Sequence, residues 1–96
     1  MTEKFSRYDT ADYLKTEEDM AAYLDACLEE GDPHLVVSAL GDIARARSMA
    51  QLARDTGLTR EGLYKALSAD GNPSFATVMK VAKALGFSLH ANVSHA

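Results

Sequence analysis

The chain has 96 residues, 47% of them hydrophobic, and a formal net charge of −4, which fits one small domain with its own packed core. Its single cysteine, Cys27, excludes an intrachain disulfide. No apolar run approaches the ~20 residues that a membrane-spanning helix needs, and the polar opening Met1–Tyr13 is unlike a secretion signal, so a cytoplasmic protein is expected.

Residues 1–15 place Phe5, Tyr8, Tyr13 and Leu14 among charges without a period, and read as an extended arm that docks through its aromatics. Thr16 with Asp19 resembles a capping box and opens a first helix over about 17–29, with Met20, Tyr23, Leu24, Cys27 and Leu28 on one face. Cys27 reads as a small buried hydrophobe. Gly31 ends this helix. Asp32-Pro33 starts the second, where Pro tolerates the first turn because the N–H it lacks has no partner there. Val36, Ala39, Leu40, Ile43 and Ala44 keep the stripe of a core-facing helix, and Arg45 and Arg47 sit at its C-terminal end, favourable for the helix dipole.

Ser48–Leu67 reads as two short helices, roughly 49–56 and 60–67, joined by a tight turn. Ser48 and Thr59 are suited to cap them, and Gly57 stands where the first must stop in a left-handed conformation. Leu52, Ala53, Leu58, Leu63 and Leu67 are the inward positions. This is the layout of a helix-turn-helix reader of the DNA major groove. Arg60 and Glu61 fall in the first turn of the second helix, with chemistry suited to guanine and to cytosine N4 respectively, and Tyr64 and Lys65 follow a turn later. The alternative for Arg60 and Glu61 is a solvated surface pair. Ser48 and Thr59 also mark helix starts, which favour a phosphate oxygen.

Gly71-Asn72-Pro73 is a loop, and Ser74 caps a fifth helix whose apolar face reads Phe75, Val78, Met79, Ala82 and Leu85, ended by Gly86. Ser74 and Thr77 are candidate clamps on the DNA backbone. Lys80 and Lys83 add charge there or simply face solvent. After Gly86 the period changes: Phe87, Leu89, Ala91 and Val93 alternate with polar residues, predicting a short C-terminal β-strand with a partner on another chain. The alternative is a tail lying irregularly over the fifth helix. The expected organisation is an arm at 1–15, a helical domain at 16–86 and a strand and tail at 87–96.

Charge divides the chain. Residues 1–42 carry three basic against eleven acidic residues, and residues 43–96 carry seven against three. The basic half contains the reader, where phosphates need neutralising. The histidines His34, His90 and His95 are scattered, no phosphate-cradling glycine loop is present, and so small a domain has little room for a catalytic pocket. No metal, cofactor or enzymatic activity is expected.

Leu40–Leu85 resembles the Xre-type, lambda-repressor-like helix-turn-helix domain. Over nearly its full length the chain resembles the HigA-like addiction module antidotes, which also go by the description of DNA-binding prophage proteins. The residues carrying this are A-L-G-D-I-A-R-A-R at Ala39–Arg47, T-R-E-G-L-Y-K-A-L at Thr59–Leu67, G-N-P-S-F-A-T-V at Gly71–Val78 and A-L-G at Ala84–Gly86. Upstream, Y-D-T-A-D-Y-L-K at Tyr8–Lys15 and A-Y-L-D-A at Ala22–Ala26 add to it. The resemblance implies an all-α, five-helix domain acting as a type II antitoxin. Such a protein neutralises a RelE/HigB-like toxin and, as a homodimer on operator DNA, represses their shared transcription. Many Xre repressors have Gln where this chain has Met49, and Gln51 follows two residues later as the candidate contact. By charge, the acidic front half is the surface for a basic toxin. The alternatives are a stand-alone prophage-type regulator, or a protein-interaction module that no longer binds DNA.

Overall fold

The computed structural model describes residues 14–94. Five helices follow in order: α1 (Glu17–Glu30), α2 (Pro33–Arg47), α3 (Met49–Thr56), α4 (Arg60–Ala66) and α5 (Phe75–Ala84). Their ends are set by side chains named above. Thr16 Oγ1 accepts from the Asp19 N–H at 3.0 Å, and Asp32 Oδ1 accepts from the His34 N–H at 2.9 Å. Gly31, at φ 75°, closes α1 in the left-handed region that other residues enter at a cost.

The long helices α1 and α2 pack as an antiparallel pair. The shorter α3 contacts both α4 and α5, and α5 returns to α2. The core lies where these meet, and Leu40, Ile43, Leu63, Leu67 and Val81 are its largest fully buried side chains. Leu14 is also buried in it, so the last apolar residue of the expected arm belongs to the core. Phe5, Tyr8 and Tyr13 lie outside the described residues.

Two expectations fail. Among the described residues there is no β-strand: Phe87 to Ser94 is irregular. The Phe87 N–H bonds back to the Ala82 carbonyl at 2.9 Å, completing the end of α5 rather than starting a ladder. The alternating pattern was real, but among the described residues no other segment offers a ladder of donors and acceptors. The segment runs beside α1, with Leu89 near Leu24 and Leu28. The apolar face of α5 is narrower than the one expected: Val78, Ala82 and Leu85 of the expected stripe do pack inward, joined by Val81. Val81 and Ala82 are buried, while Phe75 is 73% and Met79 44% exposed.

Candidate nucleic-acid interface

Ser48 leaves α2 with an extended backbone, and its Oγ accepts from the Gln51 N–H at 3.1 Å, starting α3. Gly57, at φ 76°, stops α3, and its N–H reaches the Ala53 carbonyl at 2.9 Å. Thr56 Oγ1 donates to the Leu52 carbonyl at 2.8 Å and accepts from the Leu58 N–H at 3.3 Å, fixing the turn. Thr59 Oγ1 then accepts from the Gly62 N–H at 2.9 Å and opens α4. Leu63 and Leu67 are fully buried and anchor that helix. Helical spacing turns Glu61 and Lys65 away from these leucines and sets Tyr64 on the flank, while Arg60, in line with Leu63 and Leu67, escapes burial at the helix start; all four are exposed.

Glu61 forms no ion pair with Arg60 or Lys65, so the outer face of α4 holds unpaired charges of both signs. Gln51 is exposed but engaged: its Oε1 accepts from Arg54 Nη2 at 2.7 Å and its Nε2 donates to Asp55 Oδ1 at 2.8 Å. Met49 is buried and packs in the core. Ser74 Oγ accepts from the Thr77 N–H and donates to Thr77 Oγ1, both at 3.1 Å, capping α5. Ser48, Thr59 and Ser74 thus share one local role. Each satisfies a backbone donor three residues on, and the remaining N–H groups of the first turn stay available. Ser48 and Gln51 border one cleft with Arg47 and Leu85. Gly62 and Lys65 border another with the loop before α5.

Sequence reasoning missed the residues that hold α4 in place. Gly41, in the middle of α2, faces the end of α4: a Cβ there would sit 2.5 Å from the Leu67 carbonyl oxygen. Gly71 lies so close behind α4 that a Cβ would fall 2.1 Å from the Ala66 carbonyl oxygen. Asp42 is the buried acid, 4% exposed, accepting from Tyr23 Oη at 3.0 Å and from Arg45 Nη2 at 2.5 Å. An acidic residue inside the apolar stripe Ala39–Ala44 was the available signal. Arg47 Nη1 donates to the Leu85 carbonyl at 2.9 Å, tying the end of α2 to the end of α5. Burial, with the nearby Asp42 and Glu30 carboxylates, pushes the Cys27 thiol above its usual pKa.

Among the described residues no His, Cys, Asp and Glu side chains gather as a metal site, and no helix is long and apolar enough to cross a membrane. Short capped helices presenting exposed polar side chains over an apolar core define a small all-helical binding domain. More particularly, a family model described as "Probable addiction module antidote protein" matches residues 4–93, and the chain belongs to that family. It is 60% identical over 85 residues to an uncharacterised protein of Haemophilus influenzae strain Rd, a match covering 88% of each chain. No solved structure matches it. Membership of an antidote family implies, in general terms, a toxin as partner and a regulatory role.

Proposed function

We propose that this antidote is a homodimeric, sequence-specific DNA-binding autorepressor that also neutralises a RelE/HigB-like toxin. The observation carrying the DNA half is α4 itself. Leu63 and Leu67 bury its inner side, Glu61 and Lys65 face away from it with Tyr64 on the flank, and Arg60 is exposed at the helix start that Thr59 fixes. That is the arrangement a recognition helix needs, with first-turn side chains toward base edges. Arg60 reads guanine, Glu61 takes a cytosine amine, and Tyr64 and Lys65 contact a base edge or phosphate. Ser48, Gln51, Ser74 and Thr77 flank the helix on phosphates, the hydroxyls through the helix starts they cap. For the toxin half, α1 exposes Glu17, Glu18, Asp25, Glu29 and Glu30, an acidic surface that steers a basic RNA-cleaving partner.

The test is a gel shift of the full chain on the DNA upstream of its own gene at several salt concentrations. Binding should weaken steeply with salt and outcompete unrelated DNA. Arg60→Ala should cost ~1–3 kcal/mol and relax preference at one base position. Unchanged affinity and preference in Arg60→Ala remove α4 from the reader role.

A further inference from the structure

We propose that Gly62 sets how deeply α4 seats in the DNA major groove, the side chain it lacks being the room that one wall of the groove takes up. The inference rests on the DNA-binding reading and adds to it a specificity-determining residue. The chain has six glycines, and five have a reason within the fold. Gly31, Gly57 and Gly86 take the left-handed backbone, at φ 75°, 76° and 89°. Gly41 and Gly71 stand against the Leu67 and Ala66 carbonyl oxygens, with no room for a Cβ. Gly62 has neither reason. It lies inside α4 without a positive φ, a backbone that any residue adopts. It is exposed, and beyond its chain neighbours and the backbone of its own helix one atom stands within 4 Å of where a Cβ would be: Thr59 Oγ1, at 2.9 Å.

That contact does not demand glycine. Thr59 caps α4 by accepting from the Gly62 N–H at 2.9 Å. Thr16, Ser48 and Ser74 cap their helices in the same way, and the residues whose N–H groups they bind, at 3.0, 3.1 and 3.1 Å, are Asp19, Gln51 and Thr77. A hydroxyl cap and a side chain on the residue it binds therefore coexist elsewhere in this fold. In an exposed helix position glycine is the poorest residue after proline, because it gives up the most backbone freedom on folding. The free protein thus gains nothing from Gly62. What glycine offers is close approach to the backbone from outside.

The position suits a groove wall. An α-helix with its side chains is about 10–12 Å across and the major groove about 12 Å wide, so the fit is tight and a single side chain alters it. At about 100° per residue, Gly62 stands roughly 120° round from the mean direction of Leu63 and Leu67 and about 60° past Lys65. Glu61 and Lys65 point away from the core into the groove, and Gly62 lies on the flank beyond Lys65. Ala66, one turn on, keeps this flank low, and the loop before α5 forms the far side of an open cleft along it. A sugar–phosphate strand is the part of the groove that runs beside such a flank, and the neighbouring Lys65 is a cation for its phosphates. The acidic surface that suits the toxin is on α1, a different helix.

The experiment is a set of gel shifts of the full chain on the DNA upstream of its own gene and on unrelated DNA of equal length, for wild type, Gly62→Ala and Gly62→Leu, with the melting temperature of each protein. Alanine and leucine are better helix formers than glycine, so both variants should melt at or above the wild-type temperature. The upstream DNA should nonetheless bind Gly62→Ala at least ~10-fold more weakly, the scale of one lost base contact, and Gly62→Leu more weakly still. Binding to unrelated DNA and its salt slope should not change, since no cation is altered. A purely structural role would instead lower the melting temperature and weaken both DNAs together, and that result overturns the proposal. So do stable variants that keep the wild-type preference for the upstream DNA; the DNA-binding reading then stands without Gly62. Wild type with no preference for the upstream DNA overturns that reading and the proposal with it. Variants that keep the preference but lose the neighbouring gene's toxin on co-purification assign Gly62 to the toxin and likewise overturn the proposal.

Discussion

Gly41→Ala should destabilise the protein, against the usual effect of this substitution in a helix. Gly41 lies mid-way along α2, where Ala is favoured by ~1 kcal/mol on backbone entropy alone. The new methyl would lie 2.5 Å from the Leu67 carbonyl oxygen and 3.3 Å from Arg45 Nη1. The usual approach of a carbon to a carbonyl oxygen is ~3.3 Å, so the end of α4 must retreat by about 0.8 Å. The obstacle is backbone belonging to a fully buried residue, which places the cost at the upper end of the ~1–3 kcal/mol range for overpacking. Offset by propensity, the net loss is ~1–2 kcal/mol. A domain of this size loses ~4–8 °C of melting temperature per kcal/mol, so the midpoint should fall by ~4–16 °C in a thermal scan at 222 nm. A melting temperature raised by the few degrees that propensity alone predicts would refute the close α2–α4 approach, and with it the account of how α4 is held.

Tyr23→Phe should lower stability by ~1.5–3 kcal/mol by removing a hydroxyl that donates to the buried Asp42 carboxylate, seen as a lower urea midpoint at unchanged m. An unshifted midpoint would mean the bond contributes nothing. The raised thiol pKa of Cys27 gives a pH dependence: the folded state holds its proton to higher pH than the unfolded chain. That contribution is intact below ~8.5, the unfolded thiol value, and is lost as pH rises through the folded value, so wild type should weaken between those values relative to Cys27→Ala. Parallel urea midpoints for the two proteins across pH 7.5–10 would contradict it.

The helix ends were legible because the residues that set them act locally. Thr16, Asp32, Ser48, Thr59 and Ser74 each reach a backbone N–H within three residues, a geometry the sequence order alone encodes. The outward side of α4 was legible in part for the same reason, since the buried leucines fix by spacing that Glu61 and Lys65 point away; Arg60 shares their face and is exposed only because it stands at the helix start. The strand was misread because alternation specifies a face and not a partner, and no segment among the described residues supplies one. The stripe on α5 was overextended because apolar spacing cannot tell how many elements are present to cover it. Phe75 and Met79 have the spacing of core residues, but the described helices leave them exposed. Gly41 and Asp42 were passed over because their partners, Leu67 and Tyr23, are distant in sequence.

Charge counted along the chain overstates the cationic surface. Of the basic residues after position 42, Arg45 is bound to Asp42 and Arg47 to the Leu85 carbonyl, holding helices together, and Arg54 is bound to Gln51. The remaining exposed cations are Arg60 and Lys65 on α4 and Lys80 and Lys83 on α5. On the proposed DNA-binding reading Arg60 is taken by a base, and the three lysines as phosphate contacts would give a salt slope of about −2.7 per protomer, modest for a repressor that must compete with genomic DNA. The acidic first half adds repulsion from the same phosphates. In the proposed homodimer a second copy would double the contacts, and its half-site would then bind at a high effective concentration. On that reading operator affinity depends on dimerisation as much as on α4, and operator binding should fall off on dilution as the dimer dissociates.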